Sequence, residues 1–298
     1  MEIFEQNKLF GLKDDNGDVV LPAKFYKDFI EKIKNLPLQE LIKIKLVDIQ
    51  YDLQPNGMYV FKDEKDKMGL KNYNGEVVIK NKYDMIRGFQ TNGLADVSKK
   101  DKWGLINTKG EEIVKCEYDV IWLFDLYNGL AKIRLKNKYG LINEKGELVT
   151  KCKYKYIFDF QHLNVQDGGL ARVETFSEKW GLVNEKGELV TKPKYNYIDV
   201  FKQNAVAIVR LGKKFGLINT KGQEIVDCKY DNIYDFGPNG LAVAGLDNKW
   251  GLLNTNGEIV AEYKYDCIER FQSDGLAKAR LNGKWGFINE KGEWNENI

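Results

Sequence analysis

One short pattern recurs along the whole chain and constrains its fold more than any other feature. A large apolar residue, usually aromatic, is followed by glycine and then by Leu or Phe. The eight pairs are Phe10-Gly11, Met68-Gly69, Trp103-Gly104, Tyr139-Gly140, Trp180-Gly181, Phe215-Gly216, Trp250-Gly251 and Trp285-Gly286. Four of the seven intervals between these glycines are 35 residues long. Self-similarity at one period predicts a tandem array in which each unit buries its apolar face on its neighbours.

Each copy also carries a second glycine six residues after the first, within a turn such as Asn107-Thr108-Lys109-Gly110. Asn can bond the backbone ahead of it, and Gly accepts a left-handed conformation, so this segment predicts a type I turn with a Gly bulge. It joins predicted strands at Lys102–Ile106 and Glu111–Val114. A third strand, as at Leu130–Leu135, and a short extended piece, as at Tyr230–Phe236, complete a β-meander. The eight predicted units start near 1, 58, 94, 130, 170, 206, 241 and 276.

The motif residues resemble a known family. Lys-Trp-Gly-Leu-Ile-Asn at 102–107, Lys-Trp-Gly-Leu-Leu-Asn at 249–254 and Lys-Trp-Gly-Phe-Ile-Asn at 284–289 resemble the bacterial WG (KWG) repeat. The resemblance implies a bacterial, all-β repeat protein, in a family without agreed catalytic residues. Phe10 and Met68 replace Trp in the first two copies, which we therefore interpret as edge or specialised units.

Two arrangements of eight meander units are open at this point. Closure into an eight-bladed β-propeller normally lets one chain end complete the sheet begun by the other. Here a strand at Met1–Phe4 begins the chain, the last copy stops after Trp294, and neither end supplies the short extended piece. We therefore expect a single array over residues 1–298, arranged as an open curved stack, with the closed propeller as the alternative.

An insert after the first unit, at about 27–54, departs from the repeat. Within Asp28–Asn35 the apolar residues follow helical spacing, and Pro37 breaks the pattern. Ile42–Leu46 alternates as a strand does. We predict a helix plus a strand, which either caps the end of the array or docks a partner. A second insertion, at 161–168, contains the single histidine, His162.

Charge and hydropathy exclude two classes of partner. Lys+Arg 46 and Asp+Glu 44 leave a net charge of +2, too little to attract nucleic acid. No stretch approaches the roughly 20 apolar residues that span a bilayer, and no signal peptide is visible at Met1–Leu12. We predict a cytoplasmic protein that binds no nucleic acid and does not span a membrane.

No residue pattern predicts catalysis, a metal or a cofactor. His162 has no companion at metal-ligand spacing, and phosphate-loop, dinucleotide and nucleophile-elbow motifs are absent from the sequence. Cys116, Cys152 and Cys228 share one repeat position and are read as half-buried free thiols. An acidic residue follows each motif glycine by seven positions in every copy except at Gln223, which indicates a solvated turn and not a unique catalytic pair. We therefore expect a protein that is not an enzyme.

Two repeated rows of side chains leave alternatives open. Lysine precedes the motif residue in seven copies, either to protect an exposed edge or to form a basic stripe for an acidic partner. The motif aromatics either form a core between repeats or an exposed ladder that stacks on sugar rings. The expected function is a protein-binding or scaffolding module, and the alternative is carbohydrate or cell-envelope binding.

Overall fold

The computed structural model describes residues 1–7, 9–51, 53–161, 169–202 and 204–296, without the side chains of 46–51. The described chain folds into eight antiparallel sheets and two helices, with the sheets in tandem and none closed on itself. The predicted all-β tandem repeat with a helix-containing insert is confirmed. The chain divides into two compact units, Met1–Cys152 and Lys153–Ile298.

The sheets are numbered 1 to 8 in chain order. Sheets 1 and 2 have three strands each: β1 Glu2–Gln6, β2 Leu9–Lys13, β3 Val19–Phe25; β4 Met58–Lys62, β5 Met68–Asn72, β6 Val77–Tyr83. Sheets 3 to 5 are β7 Met85–Ile86, β8 Leu94–Lys99, β9 Lys102–Asn107, β10 Glu112–Tyr118; β11 Val120–Ile121, β12 Leu130–Leu135, β13 Lys138–Asn143, β14 Leu148–Tyr154; β15 Tyr156–Ile157, β16 Leu170–Glu174, β17 Trp180–Asn184, β18 Leu189–Tyr195. Sheets 6 to 8 are β19 Tyr197–Ile198, β20 Val206–Leu211, β21 Lys214–Asn219, β22 Glu224–Tyr230; β23 Asn232–Ile233, β24 Leu241–Leu246, β25 Lys249–Asn254, β26 Ile259–Tyr265; β27 Cys267–Ile268, β28 Leu276–Leu281, β29 Lys284–Asn289, β30 Trp294–Asn295.

Strands within each sheet pair in chain order, as in a meander. The short strand that follows each repeated tyrosine pairs with the next sheet: Val120 of β11 lies opposite Arg134 of β12. The Tyr-Asp-x-Ile piece therefore opens a sheet instead of ending one, and sheets 3 to 8 begin before the corresponding predicted units do.

The Asn-x-x-Gly turn has the predicted geometry. The Gly110 N–H donates to the Asn107 carbonyl at 3.0 Å, and Gly110 has φ +80°. The Asn107 side-chain oxygen accepts from the N–H groups of Lys109 and Glu111, both at 3.0 Å. The Asn107 side chain thus accepts hydrogen bonds from turn N–H groups that have no partner on a neighbouring strand. Gly110 supplies the left-handed backbone conformation that closes the turn.

Consecutive sheets pack face to face around buried aliphatic residues. Leu105 of sheet 3 and Ile133 of sheet 4 are 0% exposed and belong to one core cluster, and the same arrangement repeats between sheets 6 and 7 and between sheets 7 and 8. The turn glycine Gly110 lies close to the preceding sheet, because a Cβ on Gly110 would lie 2.7 Å from the Ile79 side chain of sheet 2. A side chain at this position would push the sheets apart.

Two helices, α1 (Lys27–Ile33) and α2 (Leu38–Tyr51), form the insert. They cover the apolar residues of sheet 1 with Phe29, Ile30, Leu41 and Ile44, all buried. No helix in the described part of the chain is long and apolar enough to cross a membrane.

The predicted strand at Ile42–Leu46 is wrong, because this segment lies inside α2. Five alternating residues fit a short strand, but they also fit a helix that buries positions three apart. Leu41 and Ile44 are that buried pair, whereas Ile42 is 45% exposed. Pro37 does not end the structure here. Its carbonyl accepts the N–H groups of Glu40 and Leu41, so it precedes the first turn of α2, where the missing proline N–H is harmless.

Candidate functional site

The glycine of each aromatic-Gly pair is required by its own sheet. A Cβ on Gly104 would lie 2.4 Å from the Val114 carbonyl oxygen and 2.8 Å from the Cys116 backbone N, both on the adjacent strand β10. The corresponding carbonyl lies within 2.7 Å of a Cβ on the other motif glycines, Gly11, Gly69, Gly140, Gly181, Gly216, Gly251 and Gly286. The pairing register shifts at this point, which brings the two backbones together. The close approach is thus internal to the sheet and does not involve a neighbouring unit.

The motif side chains lie at the margin of the inter-sheet cores. Phe10, Met68, Trp103, Tyr139, Trp180, Phe215 and Trp250 are half-buried, and Trp285 is 45% exposed. Trp103 packs on the core between sheets 3 and 4, and Trp180 reaches Tyr197 of sheet 6 with ring centres 5.3 Å apart. The rings therefore contribute to contacts between repeats.

A variable residue stacks on or packs against several motif rings. It is the residue after the isoleucine of the short first strand, and sequence reasoning overlooked it. The pairs and their separations are Arg87 on Trp103 at 4.0 Å, Trp122 on Tyr139 at 5.4 Å, Phe158 on Trp180 at 4.9 Å and Tyr234 on Trp250 at 5.3 Å. The signal was present in the sequence, since this position changes between charged and aromatic types while its isoleucine neighbour does not. In these four copies the motif rings therefore do not form the exposed aromatic ladder that the sequence left open.

Four of the seven lysines that precede the motif residue are paired with aspartates, so these four do not form an unpaired basic stripe. Lys102 on β9 binds Asp119, whose second oxygen accepts the Lys136 N–H at 2.7 Å in the β12–β13 turn of sheet 4. Each such aspartate therefore links two consecutive sheets. The pairs are Lys67 with Asp84, Lys102 with Asp119, Lys214 with Asp231 and Lys249 with Asp266.

These hydrogen bonds favour the charged form of the aspartate. The Lys102 ammonium holds the pKa of Asp119 below its ordinary value, and the backbone N–H of Lys136 adds to the effect. The pKa values of Asp84, Asp231 and Asp266 are lowered in the same way by their lysines and by one backbone N–H each. The spacing of seventeen residues between lysine and aspartate was visible in the sequence. The spacing alone did not predict an ion pair, because the lysine and the aspartate meet only where two consecutive sheets adjoin.

The repeated acidic residues after the turn have a structural partner. Asn107 donates its side-chain amide to Glu111 at 2.6 Å, and Gln223 accepts the equivalent bond from Asn219 at 3.0 Å. These carboxylates are thus occupied by their own turns. All four cysteines, Cys116, Cys152, Cys228 and Cys267, are free and half-buried, and burial raises the pKa of the first three thiols. His162 and the rest of the predicted loop up to 168 lie outside the described residues.

One loop of sheet 4 exposes apolar side chains. Between β11 and β12, Leu123 is 71%, Leu126 86% and Tyr127 84% exposed. The loop is ordered by Asp125, whose side chain accepts the Tyr127 N–H at 2.8 Å and whose backbone N–H donates to the Leu130 carbonyl at 2.8 Å. Sequence reasoning missed this loop. The signal was the replacement of the polar step Gln90-Thr91-Asn92 by Asp125-Leu126-Tyr127-Asn128.

The fold and these repeated contacts define a tandem-repeat protein of small β-meander sheets. Comparison with family models matches the WG containing repeat six times, at residues 68–103, 103–139, 139–175, 180–215, 215–250 and 250–285. The chain belongs to the WG-repeat family.

Comparison with solved structures gives only remote similarities. The chain is similar to a eukaryotic initiation factor at 9% identity and a TM-score of 0.36, covering 98% of this chain and 83% of that one. It is also similar to Sqt1 of Saccharomyces cerevisiae at 10% identity and a TM-score of 0.29, covering 82% of each chain. Hsv2p of Kluyveromyces lactis matches at 8% identity and a TM-score of 0.29, covering 69% of this chain and 73% of that one. No curated protein matches the sequence. Similarities of this size carry no argument about function.

Proposed function

We propose that this chain is a non-catalytic binding module that holds a protein partner. The observation that carries the proposal is the ordered apolar loop of Leu123, Leu126 and Tyr127. Monomeric proteins rarely expose adjoining large apolar side chains, and such patches commonly mark binding sites. Because Asp125 already fixes the backbone, little conformational entropy is lost when a partner covers these side chains.

The repeated polar residues support a binding role over an enzymatic one. In six turns the following glutamate bonds the asparagine of its own turn. After four repeated tyrosines, an aspartate binds both a lysine and a backbone N–H. Groups engaged in fixed structural bonds are poorly placed to exchange protons with a substrate. The proposed setting is the bacterial cytoplasm, following the origin that the resemblance implies, and fractionation of source cells tests it.

The experiment is site-specific photo-crosslinking in source cells. A photoreactive phenylalanine analogue replaces Leu126 in one variant and Thr91, in the matching loop of sheet 3, in another. We expect one protein to be crosslinked at 126 and not at 91. The variant Leu123→Ser/Leu126→Ser should weaken binding of that protein by about 30-fold, as is typical when central apolar contacts are removed.

The matched control is Leu148→Ser, because Leu148 is a 49% exposed leucine outside the loop. It should leave the affinity unchanged. Equal crosslinking at positions 91 and 126, or full affinity in the double loop variant, would contradict the proposal.

A second candidate, carbohydrate binding, is favoured by Trp285. Its ring is 45% exposed, more than any other motif aromatic, with the Lys278 ammonium 4.6 Å from the ring centre. Titration with peptidoglycan fragments should then quench tryptophan fluorescence, and Trp285→Ala should abolish the quenching. A silent titration removes this candidate and leaves the protein-binding proposal intact.

A further inference from the structure

Glutamine side chains bridge consecutive sheets at one repeat position. The Gln90 side-chain oxygen accepts the Phe124 N–H at 3.1 Å, so a residue of sheet 3 caps a backbone group of sheet 4. Gln54 does the same for Phe89 at 3.1 Å, and Gln161 for Phe201 at 3.0 Å. The three phenylalanines that receive this bridge are only 4–6% exposed. Gln161 also donates its amide to the Phe201 carbonyl at 3.4 Å, so a carboxamide can satisfy both groups of the phenylalanine.

Gly237 occupies this position in sheet 7 and provides no such bridge. Its backbone resembles that of Gln90: Gly237 N–H donates to Leu241 O and Gly240 N–H to Gly237 O, as in the loop of sheet 3. The backbone is therefore unchanged and only the side chain is missing. Across from it, no hydrogen bond to the Phe271 N–H is found in the described structure, and Phe271 is only half-buried.

A cavity of about 560 Å³ opens at this point between sheets 7 and 8. Gly237 and Phe271 both line it, and Tyr234, Val243 and Ile268 form apolar walls. Tyr234 is 46% exposed and stacks on Trp250 with an interplanar angle of 11°, which fixes its ring. The volume lies within the range of small-ligand pockets, roughly 300–1,000 Å³.

We propose that this cavity binds a peptide segment through a glutamine side chain. The chain itself shows what fits: a carboxamide on a short aliphatic stem, whose oxygen accepts the phenylalanine N–H. Glutamine is preferred to glutamate because a carboxamide can both accept the phenylalanine N–H and donate to its carbonyl, as Gln161 does with Phe201, whereas a carboxylate can only accept. The Phe271 N–H has no hydrogen-bond acceptor in the described structure, so an incoming carboxamide oxygen would supply the bond that Gln90 supplies to the Phe124 N–H.

The test is NMR titration of the full-length protein with a capped pentapeptide, Ala-Ala-Gln-Ala-Ala. The Phe271 amide resonance should shift downfield and saturate with a Kd on the order of millimolar, as expected for so small a ligand. The same peptide with norleucine or glutamate in place of glutamine should bind at least about tenfold more weakly, because each lacks the matching amide or adds charge.

Two variants place the competing side chain in the cavity. Gly237→Gln should abolish the shift by bridging Phe271 internally, and Gly237→Gln/Pro238→Thr should do so with the loop sequence native to 89–93. The atom nearest to an added Cβ at Gly237 is the Asn239 side-chain oxygen, at 2.8 Å, which accepts the Leu241 N–H. The loop of sheet 3 carries the equivalent Asn92 bond together with Gln90, so both variants should fold with a thermal midpoint no lower than the parent.

Several outcomes overturn the proposal. These are no shift up to about 20 mM peptide, equal binding of the norleucine peptide, or undiminished binding by a folded Gly237→Gln variant. A response to N,N′-diacetylchitobiose without one to the glutamine peptide would reassign the cavity to a sugar. The site goes beyond the proposed function and lies apart in sequence from the loop of sheet 4, which none of these variants alters. Failure of either proposal therefore leaves the other standing.

Discussion

At the scale of single residues, the aspartate that follows four of the six repeated tyrosines connects consecutive sheets. Asp119 receives one hydrogen bond from the ammonium of Lys102 and another from the Lys136 N–H. The Asp119 side chain thus contacts sheet 3 through an ion pair with Lys102 and sheet 4 through a hydrogen bond from the Lys136 backbone. Asn196 takes the same place in sheet 6 and accepts the Gly212 N–H at 2.7 Å. The hydrogen bond to the backbone is thus kept, whereas the neutral asparagine cannot form an ion pair with lysine.

We predict that Asp119→Asn lowers the free energy of unfolding at neutral pH by about 1 kcal/mol, the usual contribution of one such bond. The pKa of Asp119 is lowered in the folded state. Its stabilisation is therefore present above the unfolded pKa, near 4, and is lost as the pH falls through the folded pKa. Urea denaturation from pH 7 down to pH 2 should show the difference between variant and parent shrinking to zero on the acid side.

The matched control for Asp119→Asn is Glu64→Gln, which alters an exposed carboxylate in the same compact unit, Met1–Cys152. It should leave the unfolding midpoint unchanged at every pH. A gap between Asp119→Asn and the parent that persists undiminished at pH 2 would rule out the proposed charge contribution.

At the scale of elements, prediction from sequence succeeded where local chemistry decides and failed where burial decides. The Asn107–Gly110 turn and strand Leu130–Leu135 follow from side chains within a few residues of each other. Helix α2 was misread because alternation over Ile42–Leu46 fits both periods, and only contact with sheet 1 selects Leu41 and Ile44 as the buried pair. The bridging glutamines were invisible for a related reason, since their partners lie 34–40 residues away.

We predict that Gln90→Leu destabilises the junction of sheets 3 and 4 by about 1–3 kcal/mol, because it leaves the Phe124 N–H buried without an acceptor. Chemical denaturation measures the loss, and hydrogen exchange at the Phe124 amide should accelerate. Gln272→Leu is the matched control, because Gln272 has the same repeat position in sheet 8 but is exposed. Equal effects of the two substitutions would show that the inter-sheet bond contributes nothing.

At the scale of the whole molecule, the core is a series of similar clusters, each shared by consecutive sheets. Leu217 and Val226 of sheet 6 pack with Ala242 and Leu253 of sheet 7, and a separate cluster joins sheets 7 and 8. In such an array each unit is stabilised chiefly by its neighbours, so stability is expected to vary along the chain.

We predict that Leu217→Ala, at a fully buried position, lowers the free energy of opening by about 2–5 kcal/mol in sheets 6 and 7. Amides of sheets 2 and 3 should keep most of their protection. Hydrogen exchange followed by mass spectrometry resolves the two regions, with Leu211→Ala, at a 42% exposed leucine of sheet 6, as the control. Uniform loss of protection along the chain would show that the array unfolds as one cooperative unit.

The sequence by itself determined the repeat, its turn and its strands, because these depend on glycine conformations, asparagine side chains and alternation within a few residues. It also identified the WG-repeat family from the aromatic-Gly pairs. Only the tertiary structure decided why the motif glycine is needed, since the Val114 carbonyl that excludes a Cβ lies on another strand. The same holds for the Lys–Asp links, the exposed loop at Leu126 and the cavity at Gly237. Each depends on which residues meet across a junction of strands or sheets. These residues are far apart in sequence, so no local sequence pattern predicts their contacts.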